Sequence, residues 1–136
     1  RNRLPQHLLS GHEMKAILLY GHGARNPEWA KPFHRIRDAI KARDPRALVE
    51  PGFLELMRPT FDEGVACLLD QGATRIVVVP IFMAAGSHVS KDLPRLAGDA
   101  MDRHPGLVIE LAAPVGEVDS VLAAMADYAI AARSTD

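Results

Sequence analysis

The run Ile76-Val77-Val78-Val79-Pro80-Ile81-Phe82 carries no polar side chain. A strand of that kind is buried on both faces, which happens in a parallel sheet covered by helices. The small-residue loop Ala84-Ala85-Gly86-Ser87 follows, then His88. A helix comes next, with Ser90 or Asp92 as its predicted cap and Pro94 in its first turn. Open parallel sheets bind ligands just past the carboxyl ends of their strands. His88 stands at that address.

The rest of the chain repeats the same unit. Lys15 to Tyr20 reads as the first strand, and Gly21-His22-Gly23-Ala24 follows at once, a turn whose glycines let the backbone approach a ligand. A helix to about Arg43 places Trp29, Phe33, Ile36 and Ile40 on one face. Asn26 and Pro27 read as its cap and first position, but Pro32 then requires a kink or a later start. Leu48 to Leu56 is a second strand, and Pro51 assigns it to a sheet edge. Pro59 opens a helix with Phe61, Val65, Leu68 and Leu69 on one side, and Gly72 ends it. The helix after His88 ends near His104-Pro105-Gly106. Leu107 to Ala112 is a fourth strand, and Asp119 caps a last helix carrying Val121, Leu122, Met125 and Ala129. Right-handed crossovers turn this order into an α/β fold: a four-stranded parallel sheet, order 2-1-3-4, with helices on both faces, like a truncated flavodoxin-like sheet.

Residues 1–13 show no periodicity and are expected to be a disordered extension or added residues, with Met14 a candidate start; His7 and His12 are set aside as ligands. Residues 14–136 read as one domain, large enough to bury roughly two thirds of its unfolded surface. The net charge of −1 indicates no general affinity for nucleic acid or anionic membrane. No run approaches the ~18 apolar residues of a membrane span, and the first residues lack the apolar segment of a signal peptide. One cysteine, Cys67, excludes an internal disulfide and a cysteine-based zinc site; beside Leu68 on a predicted helix, it is expected in the core. Together these features predict a cytoplasmic domain.

Three strands end at a potential metal ligand or proton acceptor. His22 follows the first, Glu55 ends the second and His88 follows the third, and the interval between the first two equals that between the last two. Equal intervals put each at an equivalent point of its βα unit, on one rim. Two imidazoles and a carboxylate suit a divalent first-row metal and leave coordination positions open. Taken singly, each residue also has an ordinary structural use, in a turn, a helix cap or a solvated edge. His34 and His104 read as surface residues. No G-x-S-x-G, G-x-x-x-x-G-K-[ST] or G-x-G-x-x-G occurs, so hydrolase and nucleotide-phosphate signatures are absent. No arginine directly precedes His22 and no aspartate follows the first strand, which disfavours phosphohistidine and receiver chemistry.

At Gly21-His22-Gly23, at Phe53 to Leu56 with Pro59 after it, and at Val79 to Pro94, the sequence resembles the class II chelatases, specifically the short CbiX-like sirohydrochlorin chelatases. The resemblance covers essentially residues 15–130. It implies a chelatase-like half domain that inserts Co²⁺, or Fe²⁺ in relatives, into sirohydrochlorin on the routes to cobalamin or sirohaem, with no nucleotide and no organic cofactor; Ni²⁺ is a further candidate metal. It implies metal handling by His22 and His88, with Glu55 as the acidic partner. Longer relatives hold two such halves, so a homodimer is implied here. Ala24 replaces a common serine and Arg58 a common glutamate. Met57, Met83, Ala84, Ala85, Gly86 and Ser87 are candidates to admit the flat macrocycle, and Arg25, Arg58 and Lys91 to bind its carboxylates. The rival readings are a metal carrier without turnover and a half-chelatase acting as a subunit of another protein.

Overall fold

The computed structural model describes residues 13–84 and 86–134, with residues 87–90 described as backbone alone. The expectation for the N-terminal extension, with His7 and His12, therefore falls almost wholly outside the described residues. Glu13, where the description begins, pairs with Arg75 at 3.4 Å.

Four strands form one parallel sheet: β1 (Lys15–Gly21), β2 (Leu48–Phe53), β3 (Arg75–Pro80) and β4 (Val108–Leu111), in the order β2-β1-β3-β4. Pro51 lies in the edge strand β2, where its missing amide costs no ladder bond on the open side. Helix α1 (Lys31–Arg43) is preceded by a 3₁₀ turn, Pro27–Ala30, so Pro32 occupies a first-turn position and the helix starts later, as one of the two sequence readings required. Asn26 caps the 3₁₀ turn through its side chain, which accepts from the amide of Glu28.

Alternation along β1 divides the core into two layers. Leu18 and Tyr20 face one side with Ile76 and Val78, under helices α2 (Phe61–Asp70) and α3 (Ser87–Arg103). Phe61, Val65 and Leu68 of α2 and Leu93, Ala97 and Ala100 of α3 close that layer. Leu19, Val49 and Phe53 face the other side, against Phe33 of α1. Helices thus lie on both faces, but β3, expected to be buried on both, is buried only on the side of Ile76 and Val78; Val77, Val79 and Ile81 on the other side are half-buried.

Helix α4 (Asp119–Arg133) departs from expectation. None of its residues is buried; Tyr128 is 76% and Ile130 54% exposed. Its Val121 and Met125 border an apolar cavity of about 420 Å³ with Ile17, Leu19, Ile36, Ile40, Val79 and Ile81. The helix stands off the sheet, and its apolar side has no cover within the described chain. Asp119 is its first helical residue, and Val118 is the cap.

Three local expectations are corrected. Helix α2 is capped by Thr60, with Glu63 returning to the Thr60 amide, and Pro59 precedes it through a cis peptide. Helix α3 begins at Ser87 after Gly86, not at Ser90 or Asp92; the extended Gly86 backbone ends the loop early, and Pro94 becomes an interior residue. Cys67 is exposed, with its sulfur 3.3 Å from the Gln71 amide. A helix turns about 100° per residue, so the neighbour of buried Leu68 falls across the edge of the apolar stripe.

Candidate metal-handling site

Parallel pairing puts the ends of all four strands on one rim. Strand β2 stops at Phe53, not at Leu56, yet its pairing with β1 continues: the Leu54 amide donates to Gly21 O at 2.9 Å and the Glu55 amide to His22 O at 3.0 Å. These two bonds carry His22 and Glu55 past the sheet side by side. Their side chains meet with His22 Nε2 3.1 Å from Glu55 Oε2, and both are roughly half exposed.

Gly23 makes this approach possible. Its φ is +101°, and a Cβ built there would overlap the carbonyl oxygen of Glu55. Only glycine combines that backbone with that clearance. Leu56, just past Glu55, also lies in the left-handed region at φ +71°, where the chain turns away from the rim.

The imidazole has an acceptor at each nitrogen. Nδ1 lies 3.1 Å from Gly23 O and Nε2 faces the Glu55 carboxylate. With Nδ1–H donating to the carbonyl, the Nε2 lone pair points where a cation shared with Glu55 would sit. A carbonyl that fixes the tautomer of a ligating histidine is the usual second partner of a metal-bound imidazole. Metal and proton compete for Nε2, so acid opposes binding.

His88 lies in the first turn of α3, past the end of β3, as expected; its side chain, with those of Ser87 and Ser90, falls outside the described residues. Among the described residues no three His, Cys, Asp or Glu side chains form a metal-binding group. Met83, Ala84 and Gly86 are exposed in the loop between β3 and α3, and Ala85 is outside the described residues. Arg25 is exposed, four residues past the end of β1, and Lys91 is exposed in the second turn of α3. Arg58 is exposed and pairs with Glu63: Nε donates to Oε1 at 3.1 Å and Nη2 pairs with Oε2. The Arg58 hydrogen bonds, with the Thr60 amide second, pull the Glu63 carboxyl down to about 2.

Sequence reasoning passed over three residues here. Trp29, expected on the core face of a helix, sits in the 3₁₀ turn beside Gly21, 5.2 Å from the Phe33 ring and 5.9 Å from that of Phe53. Glu63 could have been found from the pattern Thr60-x-x-Glu63. Tyr20, the one polar side chain in the central part of β1, is fully buried, and its hydroxyl has no hydrogen-bond partner among the described residues. Burial pushes that phenol up to about 12, and the charge of Asp92 adds to the shift.

Fold and pair together define a parallel α/β protein that sets an imidazole and a carboxylate side by side on the rim of its sheet. The CbiX family model matches residues 16–132, and the chain belongs to that family. It is similar to a protein from Methanocaldococcus jannaschii named sirohydrochlorin cobaltochelatase, 40% identical over 91 residues, which are 67% of this chain and 64% of that protein. A protein of the same name from Saccharolobus solfataricus is 41% identical over 109 residues, 76% of this chain and 84% of that one. Among solved structures, a putative cobalamin biosynthesis CbiX protein from Marinobacter aquaeolei superposes with a TM-score of 0.74 at 29% identity, covering 85% of this chain and 91% of that one. The sirohydrochlorin chelatase SirB from Bacillus subtilis, in complex with cobalt, gives 0.71 at 32% identity, over 83% of this chain and 48% of that one. The chain thus spans under two thirds of the M. jannaschii relative and about half of SirB.

Proposed function

We propose that the protein is a sirohydrochlorin chelatase, inserting Co²⁺ or Fe²⁺ into the free-base tetrapyrrole in cobalamin or sirohaem synthesis, without nucleotide. The observation that carries this reading is the His22–Glu55 pair at 3.1 Å on the rim of a CbiX-family sheet. Insertion forms metal–nitrogen bonds, releases two pyrrole protons and sheds metal-bound water. His22 Nε2 and Glu55 hold the cation, with His88 as the third ligand, and as the cation passes to the macrocycle the same atoms are vacated to accept protons. Exposed Met83 and Ala84 offer a surface for the flat ring, and the exposed cations Arg25, Arg58 and Lys91 are candidates for its carboxylates, Arg58 also pairing with Glu63.

The active form is a homodimer in this reading. SirB has about twice the length that this chain covers, and the apolar side of α4 is uncovered. A second copy supplies both the missing half and the cover.

The deciding experiment is anaerobic absorbance of the protein with sirohydrochlorin and Co²⁺, beside His22→Ala and His88→Ala. Insertion by the parent protein and its loss in both variants is the expected result. Cobalt binding without insertion would replace the chelatase by a metal carrier. Repeating the assay with Fe²⁺ and Ni²⁺ ranks the metals.

A further inference from the structure

Three large apolar side chains stand exposed past the sheet, one after each of three neighbouring strands. Trp29 follows β1 and is 38% exposed, Leu56 follows β2 at 50%, and Met83 follows β3 at 54%. Trp29 lies against the rung from which His22 and Glu55 leave the sheet. Gly21 and Phe53 are partners on that rung; a Cβ on Gly21 would come within 3.2 Å of the indole, and the Phe53 ring is 5.9 Å from it. Phe33 of α1 holds the indole at 5.2 Å. A ring fixed in this way loses little further freedom when it meets a ligand. Leu56 has no packing reason for its place. Its φ of +71° lies in the left-handed region that disfavours leucine, and the side chain gains little burial in return. Backbone strain of that kind gathers at ligand sites.

An exposed cation stands close in sequence to each of the three. Arg25 precedes Trp29 by four residues, Arg58 follows Leu56 by two, and Lys91 is in the second turn of the helix that the Met83 loop leads into. A flat conjugated ligand with acidic groups at its edge matches both parts of the pattern: its face suits an indole and aliphatic side chains, its carboxylates suit the cations. We propose that Trp29 and Leu56, with Met83, form the apolar platform that takes the face of a carboxylate-bearing macrocycle beside His22 and Glu55. The inference rests on the chelatase reading and adds Trp29 and Leu56 to it as contact residues for the ring. It separates two tasks on one rim: the imidazole and the carboxylate hold the cation, and the apolar side chains hold the macrocycle.

The test measures two affinities on each variant: anaerobic absorbance titration with metal-free sirohydrochlorin, and titration with Co²⁺ alone. Leu56→Asn is the cleaner variant, because asparagine tolerates left-handed backbone and the side chain it replaces is exposed. Trp29→Leu keeps an apolar side chain against Gly21, Phe33 and Phe53 but removes the ring. Each is expected to bind sirohydrochlorin about tenfold more weakly, the effect of losing the burial of one apolar side chain, and to keep the cobalt affinity of the parent. Sirohydrochlorin affinity within about twofold of the parent in either folded variant would overturn the proposal. So would an equal fall in cobalt affinity, which would make these residues supports of the His22–Glu55 pair. Light scattering closes the remaining alternative: a variant that changes oligomeric state as it loses the macrocycle would assign the patch to contact between copies. Should Trp29→Leu fail to fold, Leu56→Asn decides alone. A parent that binds cobalt but no sirohydrochlorin removes the chelatase reading and the platform with it. A parent that inserts cobalt, with both variants binding the macrocycle as it does, removes the platform only.

Discussion

Gly23→Ala is the substitution for which the structure makes the most demanding claim. At φ +101° an alanine pays about 1–2 kcal/mol for left-handed backbone. Its Cβ would also overlap Glu55 O, so the β1 and β2 extensions must separate. Separation breaks the bond from the Glu55 amide to His22 O, 3.0 Å long, worth about 1 kcal/mol net. The sum is about 3 kcal/mol, or a fall in melting temperature of about 10 °C for a domain of this size. The same movement pulls Glu55 from His22, so cobalt affinity should fall with stability. Thermal unfolding by circular dichroism and a cobalt titration on the folded variant measure the two effects. A melting temperature within about 2 °C of the parent, with cobalt affinity intact, would show that the turn does not wedge the pair together, and the geometric argument would fail.

Glu55→Gln keeps the shape but removes the charge, and cobalt affinity should drop by at least tenfold with little change in folding, as read by titration and melting. Thr60→Ala removes the side-chain half of the α2 capping box and should cost about 1 kcal/mol in urea unfolding, with metal binding unchanged. The Glu63 carboxyl is depressed from 4.5 to about 2, so its contribution is complete above pH 4.5 and is lost as pH falls towards 2; Glu63→Gln should flatten the acid limb of a stability profile in that window. On the proposed homodimer, Tyr128→Asp with Ile130→Asp should give a monomer by light scattering where the parent protein gives a dimer; a monomeric parent would remove the dimer, and an unchanged dimer would place the interface elsewhere than on α4.

The strand order and the placing of His22 and Glu55 on one rim were legible in the residues because both are consequences of local pattern repeated in register. The apolar run of β3 demands cover on both faces, Pro51 demands an edge, and equal spacing along parallel βα units puts His22, Glu55 and His88 past the same sheet end. Hydrophobic periodicity also assigned the inner faces of α1 and α2. The same logic failed where the deciding partner is distant in sequence or off the pattern. The Arg58–Glu63 pair went unforeseen, because the turn at Pro59 brings the two together. Cys67 looked buried because its neighbour is, and the α4 stripe looked like core although nothing in the described chain covers it. Tyr20 read as a plain strand residue, and only the packing of Phe61 and Phe82 around it leaves its hydroxyl without a bond among the described residues. Sequence by itself determined which faces must be hidden and which residues reach the rim, since both follow from the two- and 3.6-residue periods of the backbone. Tertiary structure decided which polar groups meet, because a hydrogen bond or ion pair needs atoms within about 3 Å, a distance set by turns and packing between elements and by no periodicity within them.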